Sequence, residues 1–348
     1  MKRILLVSAI TLGALPTLAQ ACATCGCSLS SDAATGYSSS TGWTVGLQYD
    51  YINQSQLRSG THAVSAAEVA AINDMGGDQE VEKNTTTHYI TLGIGYAFSQ
   101  DWNVRMLLPY VDRSHSTYGD AANPLTPNML SEGSVSSIGD AKLIASYQGF
   151  LPTHNFGLQV GVKLPTGNYG GPDAFGTGVA GRRPAAFTSG PLSLNPSPAN
   201  LIDSSLQAGT GSTDIILGAY YYQPVSQDFD AFVNGQFQSA VKEELDQAGA
   251  NFRPGNLATV SFGLRYEATP DIVPQVQVNI THKSHDQGTL ADTGNTSGTA
   301  VYLSPGLTAR VGQRSQVYAF VQLPVHSNLQ GYQLFPRWTG TLGVSYAF

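Results

Sequence analysis

The sequence predicts an all-β fold: a transmembrane antiparallel β-barrel of about 12 strands, with short periplasmic turns and long extracellular loops. Three observations predict it. Stretches of about ten residues alternate large apolar side chains with small or polar uncharged ones, which is the period of a strand. Short and long connections between those stretches alternate strictly along the chain. Beyond the N-terminus no segment approaches the ~18 consecutive apolar residues of a membrane helix, so a spanning structure must close its own strand edges.

Composition and the N-terminus set the frame. The chain has 348 residues, 12% charged and 41% hydrophobic, with 38 Gly and 17 Tyr. That is too polar for a helical membrane protein and too uncharged for an ordinary cytosolic one. The net charge of -7 argues against a nucleic-acid partner. Lys2 and Arg3 precede an apolar run over 4–18, and Ala19-Gln20-Ala21 supplies a small-x-small cleavage site, so 1–21 is a secretory signal peptide. Cleavage there leaves Cys22 first. Its lipidation is a further reading, although Ala19 stands where a lipoprotein signal carries Leu. Residues 22–41 then form a periplasmic cysteine-containing segment and 42–348 the barrel.

In chain order, the first strand is 43–51, with Trp43, Val45, Leu47, Tyr49 and Tyr51 outward and Thr44, Gly46, Gln48 and Asp50 inward. In the long connection after it, Ser65-Ala66-Ala67-Glu68 reads as a capping box opening a short helix to about residue 73, stopped by Gly76 and Gly77. Strands follow at 89–98, 102–111, 138–148, 156–166, 214–223, 230–241, 257–267, 274–283, 300–311, 316–325 and 335–348. Long connections fall at 112–137, 168–213, 242–256, 284–299 and 326–334. Such strands, tilted near 45°, span the ~25 Å apolar band of an outer membrane. The last one sets Trp338, Leu342, Val344, Tyr346 and Phe348 on one face against Thr339, Thr341, Gly343, Ser345 and Ala347. Its C-terminal Phe resembles the signature read by the bacterial barrel assembly machinery. Both termini are placed in the periplasm.

Four short motifs sharpen this reading: Ile138-Gly139-Asp140-Ala141-Lys142-Leu143, Lys163-Leu164-Pro165-Thr166-Gly167, Gly209-Thr210-Gly211-Ser212-Thr213-Asp214 and Arg253-Pro254-Gly255-Asn256. Together they resemble the bacterial outer-membrane barrel family named for the meta-pathway of phenol degradation. The resemblance runs from about residue 43 to the end and implies an outer-membrane transporter of small, often aromatic, compounds. Expected partners are outer-membrane lipid and a small solute.

Parity selects the candidate site residues. Asp140, Lys142, Lys163 and Asp214 point inward near the extracellular end of neighbouring strands, as a structural tie or a polar filter. Arg182 and Arg183 lie in the loop 168–213, either at a constriction or on an outer lid. Tyr220, Tyr222, Phe232, Tyr318 and Phe320 face the lower lumen, lining a path for an aromatic or amphipathic solute or filling a narrow barrel. Outward aromatics near strand ends read as interface girdles.

Cys22, Cys25 and Cys27 fit no haem-attachment pattern, since no His follows Cys25. A disulfide, a thiol redox role, or a soft-metal site for Cu or Zn are the alternatives, the last implying a barrel that anchors a periplasmic metal or redox segment with a periplasmic partner. An outer-membrane lipid hydrolase would need a Ser beside His88 or His282 and a third orienting group, a set the sequence does not declare.

Overall fold

Side chains that alternate in polarity put the two faces of a strand in different surroundings, and a sheet meets that demand without free edges only by closing. The computed structural model describes residues 41–269 and 271–348. The signal peptide 1–21 and residues 22–40 of the next segment therefore lie outside the described residues.

The strands are β1 (Gly42–Gly60), β2 (His62–Ala63), β3 (Glu82–Ala97), β4 (Trp102–Thr117), β5 (Ser131–Ile138), β6 (Ala141–Tyr147), β7 (Phe156–Leu164), β8 (Tyr169–Pro172), β9 (Val179–Arg182) and β10 (Phe187–Ser189). They continue as β11 (Ser212–Pro224), β12 (Phe229–Glu243), β13 (Asp246–Gln247), β14 (Ala250–Asn251), β15 (Leu257–Tyr266), β16 (Ile272–Lys283), β17 (Gly298–Val311) and β18 (Ser315–Ala347). Antiparallel pairing runs β4-β3-β1-β18-β17-β16-β15-β12-β11-β7-β6, and β6 pairs back onto β4. The ring closes with 11 strand elements, while β2, β5 and β10 lie outside it.

Twelve strands were expected, and the difference lies in β18. The stretches 316–325 and 335–348 belong to one element of 33 residues, and 326–334, expected as a loop, is strand. Its first half pairs with β17 and its second with β1. The two halves lie side by side, since Ala347 N–H donates to the Arg314 carbonyl at 2.9 Å. Gly331, at φ 66°, occupies the left-handed region where the chain turns back. A second difference is at Gly139 and Asp140, which interrupt the wall between β5 and β6 while both pair with β4.

The faces follow the expected parity. Trp43, Leu47, Leu143, Val160, Leu217, Phe262 and Leu342 are exposed on the outside. Asp50, Thr87, Gln159, Asp214, Gln277, Ser304 and Thr341 are buried on the inside. Connections at 98–101, 148–155, 225–228, 267–271 and 312–314 are short, and those at the opposite end are long.

The long connections form a cap. Helix α1 (Ala66–Asp74) opens on the expected capping box: Ser65 Oγ accepts from Glu68 N–H at 3.2 Å and Glu68 accepts from Ser65 N–H at 2.6 Å. These bonds to Ser65 hold the exposed Glu68 carboxyl below its ordinary range. Val69 and Ala70 bury against Leu57, Val81 and Leu334 at the strand tops. Ile202 and Leu206 of the connection 165–211 pack on Val135, while Leu245 and Phe252 meet Leu290 across two other connections. Ser65→Ala removes the side-chain cap, worth about 1 kcal/mol. Protease cleavage within 61–81 is expected to quicken roughly fivefold, with cleavage elsewhere unchanged.

Candidate functional site

The inner wall near the loop end is organised by Lys163, the last inward residue of β7. Register sets it beside Lys142 of β6 and Asp214 of β11. Its ammonium lies 3.2 Å from Asp140 and 3.1 Å from Asp214, and donates to Ser212 at 3.0 Å and to Thr210. All three charged side chains are buried. Lys142 joins through an intermediary: it donates to Gln238 at 3.0 Å, and Gln238 donates to Asp214 at 2.7 Å. The four residues that parity selected therefore form one network.

That network also fixes the largest connection at both ends. Asp140 accepts from Gly167 N–H at 3.1 Å, where the connection begins, and from Thr210 N–H at 2.9 Å, where it ends. Gly167 and Gly209 pack so closely that a methyl group on Gly167 would sit 2.8 Å from Gly209 Cα. Three of the four sequence motifs are thus one knot. The fourth is separate: Arg253 pairs with Glu243, and Gly255 N–H donates to Asp286 at 2.7 Å, tying two other connections together.

Arg182 and Arg183 are exposed. The Arg182 guanidinium donates to the Pro165 carbonyl at 2.9 Å and to that of Gly167, and stacks 5.5 Å from the Tyr169 ring. Arg183 has a φ of 49°. The pair does not join the buried network.

The lower aromatic residues are inward, and the structure shows what most of their rings rest on. Tyr220 lies over Gly157, Phe232 over Gly263, Tyr318 over Gly343 and Phe320 over Gly306. A methyl group would come within 2.2 Å of Tyr220 at Gly157 and 2.1 Å of Tyr318 at Gly343. An aromatic ring covering a glycine on the adjacent strand restores the packing the glycine lacks. Tyr222 instead donates to the His154 carbonyl at 3.2 Å.

Sequence reasoning missed several charged groups. Asp50, placed inward by parity, accepts from Gln48 at 2.8 Å and from Thr341 at 2.6 Å. Arg113 reaches from β4 to the carbonyls of Leu206 and Gln207, fastening the same large connection. His115 is buried, bonded to Thr85 at 2.8 Å and 3.6 Å from Glu80. A carboxylate at an inward position was the available signal for Asp50, whereas Arg113 and His115 fall in 112–137, expected as a connection, because β4 runs on to Thr117. The outward His88 and His282 are bonded to Tyr49 and Thr299 at 2.7 and 2.9 Å. Cys22, Cys25 and Cys27 lie outside the described residues, and no group of three or more metal-ligating side chains occurs among the described ones.

In the cap, Asp203 is buried and accepts from Ser205 N–H and Oγ, each at 2.9 Å. Burial pushes its carboxyl well above the ordinary range, with Glu80 and Asp286 adding repulsion. Asp286 is itself paired with Lys283 at 2.8 Å, and the Arg113 guanidinium donates to the Leu206 and Gln207 carbonyls that follow the Asp203 turn.

No family model matches the chain, and no curated protein sequence does. Solved structures do resemble it. The COG4313 outer membrane channel from Pseudomonas putida F1 superposes with a TM-score of 0.60 at 16% identity, covering 89% of this chain and 96% of that one. The β domain of the Bordetella autotransporter BrkA gives 0.47 at 12% identity, covering 89% and 100%. The toluene transporter TodX of P. putida gives 0.43 at 9%, covering 88% and 90%. The first of these shows the fold, that of an outer-membrane barrel. The phenol-pathway family name is not established by these likenesses.

Two outcomes follow from this geometry. Lys163→Met leaves Asp140 and Asp214 buried without their cation, so the folded barrel is expected to lose about 3 to 5 kcal/mol, against roughly 1 for Lys142→Met, measured by urea unfolding in lipid or detergent. Because the folded pKa of Asp203 lies above its unfolded value, the cap is unpenalised below about pH 4 and is destabilised as pH rises through the folded pKa. Cleavage within 165–211 by a pH-tolerant protease should therefore increase from acid to neutral pH, and Asp203→Asn should flatten that dependence.

Proposed function

We propose that this chain is an outer-membrane channel through which small, largely uncharged solutes diffuse. The observation that carries the reading is the closed ring itself, apolar and exposed outside, polar inside. An apolar outer wall on a closed sheet suits a bilayer, because every backbone group of the wall is paired within the protein. In this reading the short turns and both termini are periplasmic and the capped end is extracellular. The likeness to the COG4313 channel supports it.

The inner wall argues for passive passage. Its charges are largely tied to one another or to loop backbone, as at Lys163 and Arg113, whereas the mid-wall positions of β12 to β17 are amides and hydroxyls such as Asn234, Gln236, Ser261, Gln277 and Ser304. Neutral dipoles can replace part of a solute's hydration without holding it as a counter-charge would. Selectivity for aromatic compounds draws less support, since Tyr220, Phe232, Tyr318 and Phe320 are committed to glycines. Full-length protein refolded into planar bilayers is expected to give stepwise current increments with weak ion selectivity. A folded barrel that passes neither ions in bilayers nor sugars in liposome swelling would sink the reading.

A further inference from the structure

Four three-strand ladders in the inner wall share one plan: an aromatic ring, the glycine it covers, and a glutamine beyond. Tyr220 crosses Gly157 and its hydroxyl donates to Gln148 Oε1 at 2.7 Å. Tyr318 crosses Gly343, whose partner on β1 is Gln48, and its hydroxyl donates to Gln48 Oε1 at 2.8 Å. In both, the ring supplies packing and the hydroxyl satisfies the amide. The other two ladders carry phenylalanine. Phe320 pairs with Gly306 and Gly306 with Gln275, whose amide donates to Thr308 at 2.8 Å. Phe232 pairs with Gly263 and Gly263 with Gln277.

Gln277 is the exception in this set. It is 0% exposed, and neither its Oε1 nor its Nε2 has a hydrogen-bond partner. Further along the same inward row of β16, Asn279 Oδ1 and Thr281 Oγ1 also lack partners. A buried primary amide with nothing bonded loses both donor and acceptor hydration, a state that proteins rarely leave uncompensated. The ladder has the ring and the glycine but lacks the hydroxyl.

We propose that Gln277 is a binding station for a hydroxyl group of an uncharged solute, which takes the place held by a tyrosine hydroxyl in the two sister ladders. A hydroxyl can donate to Oε1 and accept from Nε2, meeting both needs of the amide. The inward row of β16 from Gln275 to Thr281 carries no charge, and the cation one inward position from Gly263, Arg265, is already paired with Glu267 at 2.9 Å. This deepens the channel reading and rests on it only for the route by which the solute arrives.

The test is the melting temperature of the full-length refolded protein, titrated with cyclohexanol in one arm and glucose in the other, which separates an alicyclic alcohol from a sugar as the source of the hydroxyl. A ligand that binds the folded state raises the melting temperature with concentration. The wild type is expected to shift in at least one arm. Phe232→Tyr fills the station from within, and Gln277→Leu removes it; each is expected to weaken the response at least tenfold in solute concentration. Phe232→Tyr should also melt higher than the wild type without solute. A wild type that shifts in neither arm, or variants that respond as the wild type does, overturn the proposal. Conductance, measured separately, reports on the channel reading alone.

Discussion

A strand edge left open exposes a row of unpaired N–H and C=O groups, and neither lipid nor a crowded interior can satisfy them. Here the ring closes where β6 meets β4, and β18 serves two neighbours by folding back between β17 and β1. Closure in a ring of this size leaves limited space inside, so a large inward ring must lie along the wall. Four rings do so where the neighbouring strand lacks a Cβ. Gly157, Gly263, Gly306 and Gly343 occupy those places. The glycine content that looked merely compositional is thus partly a consequence of curvature and packing.

Closure also decides where charge sits. Lys163 is held by two carboxylates and two hydroxyls, and one of those carboxylates grips both ends of the largest connection. A buried ion network of this kind contributes little net stability, because desolvation offsets most of the attraction. What it fixes is geometry: the spacing between the tops of β6, β7 and β11, and the point from which the cap departs. On β12 to β16 the inward charges Asp230, Arg265 and Lys283 stand near the strand ends, and the neutral middle of that wall is left to face whatever enters.

Much of this was legible in the sequence. The period-2 alternation separates the two faces within the wall, with Leu217 and Phe262 outside and Asp214 and Ser261 inside. The capping box at Ser65 and Glu68 was legible because it is local. Strand ends were not. β1 runs on to Gly60 and β18 continues through 326–334, although neither stretch alternates in hydrophobicity. Above the apolar band, backbone pairing with a neighbour holds the strand, and pairing leaves no period in the side chains. Asp140, Lys142, Lys163 and Asp214 stand out in the sequence because each breaks the neutrality of an inward row. Their true partners, Thr210, Gly167 and Gln238, depend on register and loop closure, which no local pattern encodes.

The aromatic residues show how the same letters acquire different meanings once register is known. By parity alone Tyr220, Phe232, Tyr318 and Phe320 are equivalent inward rings. Register separates them by the presence or absence of one oxygen. Two hydroxyls reach Gln148 and Gln48 and complete the wall, while Phe232 stops short of Gln277. At 16% identity a shared barrel fold carries no information about such differences, since closure constrains glycine and ring positions far more than it constrains a terminal hydroxyl. Specificity in a barrel of this kind is therefore to be sought where a repeated packing device is left chemically incomplete.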